Sequence, residues 1–287
     1  MSDAWRIVER PVRDRLGEGL MWSGRENALY WTDILEKRLH RMRLADGSID
    51  SWTMPEMIGW VIERKNAPGL IAGLQSAIVE LTLDPLAITT IVAPEPDLPD
   101  NRRNDAKADG RGRIWAGSMP VDADKATGAL WRLDPDRSLH RMDAGHIICN
   151  GPAFSPDGRI LYHTDTAIAT VYRFELHDDG SLGPRDVFLR FENGWGKPDG
   201  MTVDAQGGVW IAHWGGSRVS RFTPDGRLDR AIPLPASQIT NCTFAGAALD
   251  RMFVTSAAVG LPDEPYAGAL FEVDPGVTGL PAGRYGG

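Results

Sequence analysis

Cysteine is nearly absent: the 287-residue chain has two, Cys149 and Cys242. Two thiols make no disulfide framework. The simplest reading is a reduced compartment, hence a cytoplasmic protein in which both thiols are small buried hydrophobes. Long apolar runs are also missing, and no stretch approaches the ~18–20 residues of a membrane span, so no membrane is expected as a partner. The opening Met1-Ser2-Asp3-Ala4-Trp5-Arg6 lacks the apolar core of a secretory signal. A basic excess is lacking as well. With 39 acidic and 31 basic residues the net charge is −8, which disfavours nucleic acid and anionic lipid, since both call for a basic face. There is no useful helical period, no His-Glu-x-x-His zinc motif, no Gly-x-Ser-x-Gly elbow and no phosphate-cradling loop. The six histidines are scattered; His163 and His213 fall on strands, as polar residues of the core or a channel lining.

What remains is ordinary globular material, 42% hydrophobic and 24% charged, with ten tryptophans and 32 glycines as the odd features. The length suits one all-β domain over residues 1–287. A short apolar core preceded by a turn recurs six times: Leu29-Tyr30-Trp31, Leu70-Ile71-Ala72, Ile114-Trp115-Ala116, Leu161-Tyr162-His163, Val209-Trp210-Ile211 and Met252-Phe253-Val254. The middle residues step by 41, 44, 47, 48 and 43 positions. Turns such as Pro156-Asp157-Gly158 precede the cores, and second strands such as Val171-Tyr172-Arg173-Phe174 follow them. Alternation with Asp-Gly punctuation reads as meandering antiparallel hairpins. Repeated six times, this predicts an all-β, six-bladed β-propeller with four-stranded antiparallel blades around a central channel. A two-sheet sandwich also has short strands, but it does not account for the six-fold recurrence. Trp5-Arg6-Ile7-Val8-Glu9 is expected to supply the outer strand of the last blade. Ala93 to Arg103, rich in Pro and Asp, reads as the longest non-repeating connection, one that could shape a site at a channel mouth.

Four places offer chemistry. Glu18 lies between Gly17 and Gly19, where a carboxylate can approach a channel axis at little steric cost. Asn104 and Asp105 sit in a dense run of charge and amide, Asn101 to Asp109, able to hold a polyhydroxylated ligand. Asn150 ends the apolar Ile147-Ile148-Cys149, and Asp199 stands in Lys197-Pro198-Asp199-Gly200. Alone, each reads as readily as a turn or surface residue. Together they differ: Glu18, Asn150 and Asp199 precede their strand cores by similar offsets of 12, 11 and 11 residues. Equivalent positions in different blades converge on one end of a propeller channel. An all-oxygen set favours a hard divalent cation, Ca²⁺, Mg²⁺ or Mn²⁺.

With these motifs the sequence resembles the senescence-marker-protein/gluconolactonase family, also called the regucalcin family, over about residues 14–276. The resemblance rests on Leu16-Gly17-Glu18-Gly19-Leu20-Met21-Trp22, Arg102-Arg103-Asn104-Asp105-Ala106-Lys107, Gly112-Arg113-Ile114-Trp115-Ala116-Gly117-Ser118-Met119, Asn150-Gly151-Pro152 and Pro198-Asp199-Gly200-Met201. Ile148-Cys149-Asn150-Gly151-Pro152 and Tyr162-His163-Thr164-Asp165-Thr166 look most like the bacterial sugar-lactonase branch. The resemblance implies a six-bladed propeller with one catalytic divalent metal on Glu18, Asn150 and Asp199, and widens the choice of ion to zinc or iron(II). It puts substrate-holding groups on Arg102 and Asn104 and, less directly, on Asp122. Leu20 stands where the family usually has Pro, and Ala106 where it usually has Gly. The implied reaction is metal-assisted hydrolysis of a small-molecule sugar-acid lactone, such as glucono-, xylono- or arabinonolactone. Asp199 is the expected general base. The rival readings are a propeller acting on aryl esters or phosphotriesters, and a non-catalytic calcium-binding or interaction propeller. Oligomeric state stays open.

Overall fold

The computed structural model describes residues 5–287. Among these, 24 strands form six four-stranded antiparallel sheets and no helix occurs. The sheets are the six blades of a β-propeller. Their inner strands are Gly17–Ser23, Ile58–Glu63, Asn101–Ala108, Cys149–Phe154, Lys197–Val203 and Ile239–Ala245. The six recurring apolar cores lie on the next strand out: Ala28–Asp33, Leu70–Leu74, Ile114–Pro120, Ile160–Asp165, Val209–Trp214 and Arg251–Ser256. The ring closes as expected, with Trp5–Ile7 pairing as the outermost strand of blade 6 in the register Trp5↔Val273, Arg6↔Glu272 and Ile7↔Phe271.

Both faces of each blade must be covered, so the inner strands are not simply alternating. All six residues of Ile58–Glu63 are buried. Met21, Tyr30 and Leu39 of blade 1 pack against Ile58, Val61, Ala72 and Val79 of blade 2. Trp60 and Ile71 of blade 2 pack in turn against Ala106 and Ile114 of blade 3. The larger aliphatic side chains among these contribute about 1.5–3 kcal/mol each when fully buried. Several tryptophans are tied into the fold in the same way. An indole N–H needs a partner when buried, and a carboxylate supplies one in three blades. Asp109 accepts from Trp115 Nε1 at 2.9 Å and Arg113 Nε at 2.6 Å. Asp204 accepts from Trp210 Nε1 at 2.8 Å and Arg221 Nε at 2.6 Å. Asp14 accepts from Trp31 Nε1 at 3.1 Å and from Arg10. Cys149 and Cys242 are free and buried, as the composition implies.

One irregularity positions the site. Every inner strand slips register against its neighbour: between Glu18/Met21, Ile58/Trp60, Arg103/Ala106, Asn150/Ala153, Pro198/Met201 and Ile239/Asn241. A β-bulge bends the strand and re-aims its side chains. Gly19 has φ 59° and Gly151 φ 74°, conformations that follow Glu18 and Asn150 directly.

The segment Ala93 to Arg103 departs from expectation. It is not one long loop, because Asn101–Ala108 is already the inner strand of blade 3. The loop before it turns Glu95 inward, where its carboxylate accepts from Arg103, Asn101, Ser118 and Trp131. A buried guanidinium needs such a counter-charge, so the loop anchors blade 3 and does not line the site described below.

Candidate active site

The inner strands begin at one end of the ring, and there a cavity of about 290 Å³ opens between them. Its lining includes Glu18, Arg102, Asn104, Asn150 and Asp199, five of the six side chains to which the resemblance gives a role. Larger hollows exist, one of about 570 Å³ at the outer edge of blade 6 and one of about 360 Å³ at the far end of the channel, backed by Leu280 to Gly283. The first is lined by paired surface charges, Glu272 with Arg6 and Arg251, and neither gathers buried carboxylates and amides, so chemistry rather than size selects the site.

The five side chains are buried yet come from blades 1, 3, 4 and 5. A directional chain of hydrogen bonds joins four of them. Arg102 Nη1 donates to Asn104 Oδ1 at 2.6 Å. Asn104 Nδ2 donates to Asn150 Oδ1 at 2.7 Å and to the Cys149 carbonyl at 2.9 Å. Asn150 Nδ2 donates to Asp199 Oδ1 at 2.6 Å and to Thr166 Oγ1 at 2.9 Å. Glu18 enters from the other side, its Oε2 accepting from the Gly19 N–H at 3.1 Å and from Asn241 Nδ2 at 3.0 Å.

Two further residues complete the arrangement. Asn241 of blade 6 bridges Glu18 to Asp105, donating to Asp105 Oδ2 at 3.3 Å. Asp105, named with Asn104 in the run Asn101 to Asp109, is buried beside the cavity but is not part of its lining. Asn241 has no glycine beside it and no turn to mark it; only its bulge, visible in the folded strand, sets it apart.

The electrostatics are one-sided. Burial, and then the charge of Asp105, pushes the Glu18 carboxyl up to about 8. Burial, then Glu18 and Asp105, raises Asp199 well above the usual carboxylate range. Burial also raises Asp105. The one guanidinium in the lining, Arg102, is itself lowered to about 10 by burial, against the pull of Glu18 and Asp199. Three buried carboxylates thus face too little positive charge. Among the described residues no group of three His, Cys, Asp or Glu side chains is placed to hold a metal; the set at hand is two carboxylates and an amide. An all-oxygen donor set with surplus negative charge fits a divalent cation, with Glu18, Asn150 and Asp199 as the donors.

The sixth residue, Asp122, is not brought in. It lies at the same end of the propeller but is exposed, in the turn after Ile114–Pro120, outside the lining. The strand ends before Asp122, so from that strand it is Met119 that faces the cavity. Trp195 does not cap the cavity; it packs on Phe191, His213 and Phe222, and Trp214 takes the rim instead. His163 and His213 are buried and lie outside the lining.

A six-bladed propeller with buried oxygen donors at one mouth defines a class of small-molecule sites. The family model described as the SMP-30/gluconolactonase/LRE-like region matches residues 16–258, and the chain belongs to that family. An L-arabinolactonase from Azospirillum brasilense is 37% identical over 96% of this chain and 94% of its own length. A 6-deoxy-6-sulfogluconolactonase from Pseudomonas putida is 36% identical over 95% of each. Among solved structures, a calcium-binding protein, regucalcin, from Agrobacterium tumefaciens superposes with a TM-score of 0.93 at 28% identity, covering 99% of this chain and 97% of that one.

Proposed function

We propose that this chain is a divalent-metal-dependent hydrolase that opens an aldonolactone to its aldonic acid. The observation that supports it most is the continuous chain from Arg102 through Asn104 and Asn150 to Asp199, lining one cavity with Glu18. When bound to Glu18, Asn150 and Asp199, a divalent cation supplies Lewis-acid polarisation of the lactone carbonyl. Arg102 and Asn104 orient the hydroxyls beside that carbonyl. Asp199 takes a proton from the attacking water and returns it to the ring oxygen as the C–O bond breaks. Thr166 holds the Asn150 amide in register and in turn donates to the Pro198 carbonyl at 2.7 Å. Asn241 keeps Glu18 and Asp105 apart by donating to both.

The assay is lactone opening after chelation and again after return of Ca²⁺, Zn²⁺, Mg²⁺, Mn²⁺ or Fe²⁺, over glucono-, xylono- and arabinonolactone. Loss on chelation and recovery with at least one ion is expected; undiminished turnover in chelator contradicts the reading. A second reading is a calcium-binding propeller without turnover, motivated by the relative from Agrobacterium tumefaciens. Catalytic opening of any lactone excludes it as the whole account.

A further inference from the structure

The cavity of about 360 Å³ at the far end of the channel carries one cation, Lys107. Lys107 lies on the inner strand of blade 3 between Ala106 and Ala108. Those alanines pack on Trp60 and Ile62 of blade 2, so strand alternation turns the lysine the other way. Burial raises the Cys242 thiol of blade 6 to about 12, and the strongest pull against that rise is the charge of Lys107. Blade 6 stands opposite blade 3 in the ring, so the ammonium reaches toward the channel axis. Of the chain's five lysines, Lys37, Lys65, Lys125 and Lys197 are exposed and Lys107 alone is half-buried. Among the described residues its nitrogen makes no hydrogen bond and has no carboxylate oxygen within 4.0 Å. Drawing an ammonium from bulk water without a partner is unfavourable. Asp105 feels its charge, but that carboxylate accepts from Asn241 and from the Ala106 N–H. The one acid in the lining, Asp157, is exposed and accepts from the Ser155 hydroxyl at 2.6 Å and the Arg159 N–H at 3.1 Å.

We propose that this cavity is a second ligand site, one that takes a small hydroxylated monocarboxylate such as an aldonate. The carboxylate pairs with the Lys107 ammonium. One ammonium balances one negative charge, whereas a phosphate dianion leaves charge uncompensated. The hydroxyls meet two kinds of partner. Each inner strand is the end strand of its sheet, so its second edge turns unpaired N–H and C=O groups toward the channel. Thr202 and Thr243 also line the cavity, and their hydroxyls have no protein partner among the described residues. The C-terminal segment closes the back. The Ala205 N–H donates to the Thr278 carbonyl, the Gly279 N–H to Leu249 and the Tyr285 N–H to Glu63. The segment thus runs from blade 5 past blade 6 to blade 2, with Leu280 to Gly283 as the wall. The site stands apart from the acidic mouth and does not depend on the lactonase reading.

The test is calorimetric titration of chelated protein, whose mouth then has no metal to hold a carboxylate. The probes are D-gluconate, hexanoate, which has the charge without the hydroxyls, and inorganic phosphate. One gluconate per chain is expected. Its affinity should fall about tenfold or more in Lys107→Met, the worth of a hydrogen bond to a charged group, and be retained in Lys107→Arg. Hexanoate and phosphate should bind more weakly than gluconate. The wild-type protein gives an independent reading. In reductive methylation followed by mass spectrometry, gluconate should slow modification of Lys107 several-fold and leave Lys37 and Lys65 unchanged. Absence of gluconate binding overturns the proposal, as does binding that is lost in Arg102→Met and kept in Lys107→Met. Phosphate or hexanoate binding as tightly as gluconate, or no protection of Lys107, overturns it as well.

Discussion

Two sets of carboxylates lie inside this propeller, alike in burial and opposite in what surrounds them. Asp14 and Asp204 sit between blade strands, each facing an arginine and an indole N–H. Burial alone would raise both, but the nearby His40 ring and hydrogen bonds from Arg10 at Asp14, and hydrogen bonds from Arg221 and Trp210 at Asp204, hold them below the usual range. Glu18 and Asp199 line the cavity and Asp105 lies behind them; burial raises all three, and repulsion from Asp105 adds to the rise of Glu18, and from Glu18 and Asp105 to that of Asp199. The first set is satisfied and serves the fold. The second faces little positive charge and so holds its protons to higher pH. Proton affinity thus separates the acids paired within the fold from those left unpaired around the cavity.

The contrast is broken most directly by neutralising one member of each set. Asp199→Asn should lower kcat on an aldonolactone by roughly 10²–10⁴-fold, the usual worth of a positioned acid–base group, with the thermal midpoint held or raised. Asp204→Ala should do the reverse. It strips Arg221 and Trp210 of a shared partner, costs about 3 kcal/mol by thermal or denaturant unfolding, and leaves turnover per folded molecule unchanged.

Smaller effects sharpen the comparison. Asn241→Ala unbridges Glu18 and Asp105 and should weaken the divalent ion by about 10–100-fold in a calorimetric titration, the range for groups that orient ligands. In chelated protein the two sets should respond to pH with opposite sign. Glu18 is raised from 4.5 to about 8, so its contribution is complete below pH 4.5 and disappears as pH rises to about 8. Asp14 and Asp204 are lowered from 3.8, so theirs is complete above that value and disappears as pH falls beneath it. Glu18→Gln should therefore flatten the decline in thermal midpoint between pH 4.5 and 8 and leave the acid limb alone. An unchanged slope in Glu18→Gln removes the repulsion argument.

Much of this was legible in the chain. The turn-and-core repeat follows from local rules, Asp-Gly turns and strand alternation, so six blades and the closing strand at Trp5 could be read directly. Glu18, Asn150 and Asp199 were legible because each precedes a glycine, Gly19, Gly151 or Gly200, where the inner strand bulges. Asn241 precedes Cys242 and offered no such mark. Its link to Glu18 spans 223 residues and exists only once the ring has closed. The loop at Glu95 misled because a long Pro- and Asp-rich connection reads as one that could shape a site, whereas the buried Arg103 draws Glu95 inward to anchor the blade. Asp122 shows a similar limit. Resemblance and composition locate a rim only approximately, and the identity of the side chain that turns inward, Met119 or Trp214 here, depends on where a strand ends.

The claim beneath all of this is that the mouth carboxylates are uncompensated because they hold a cation. Calorimetric titration of chelated protein with the ion that restores turnover tests it most directly. One ion per chain is expected, with binding abolished or weakened by orders of magnitude in Glu18→Gln and in Asp199→Asn and unaltered in Asp122→Asn. Absence of binding in the wild-type protein, or equal affinity in all four proteins, contradicts it.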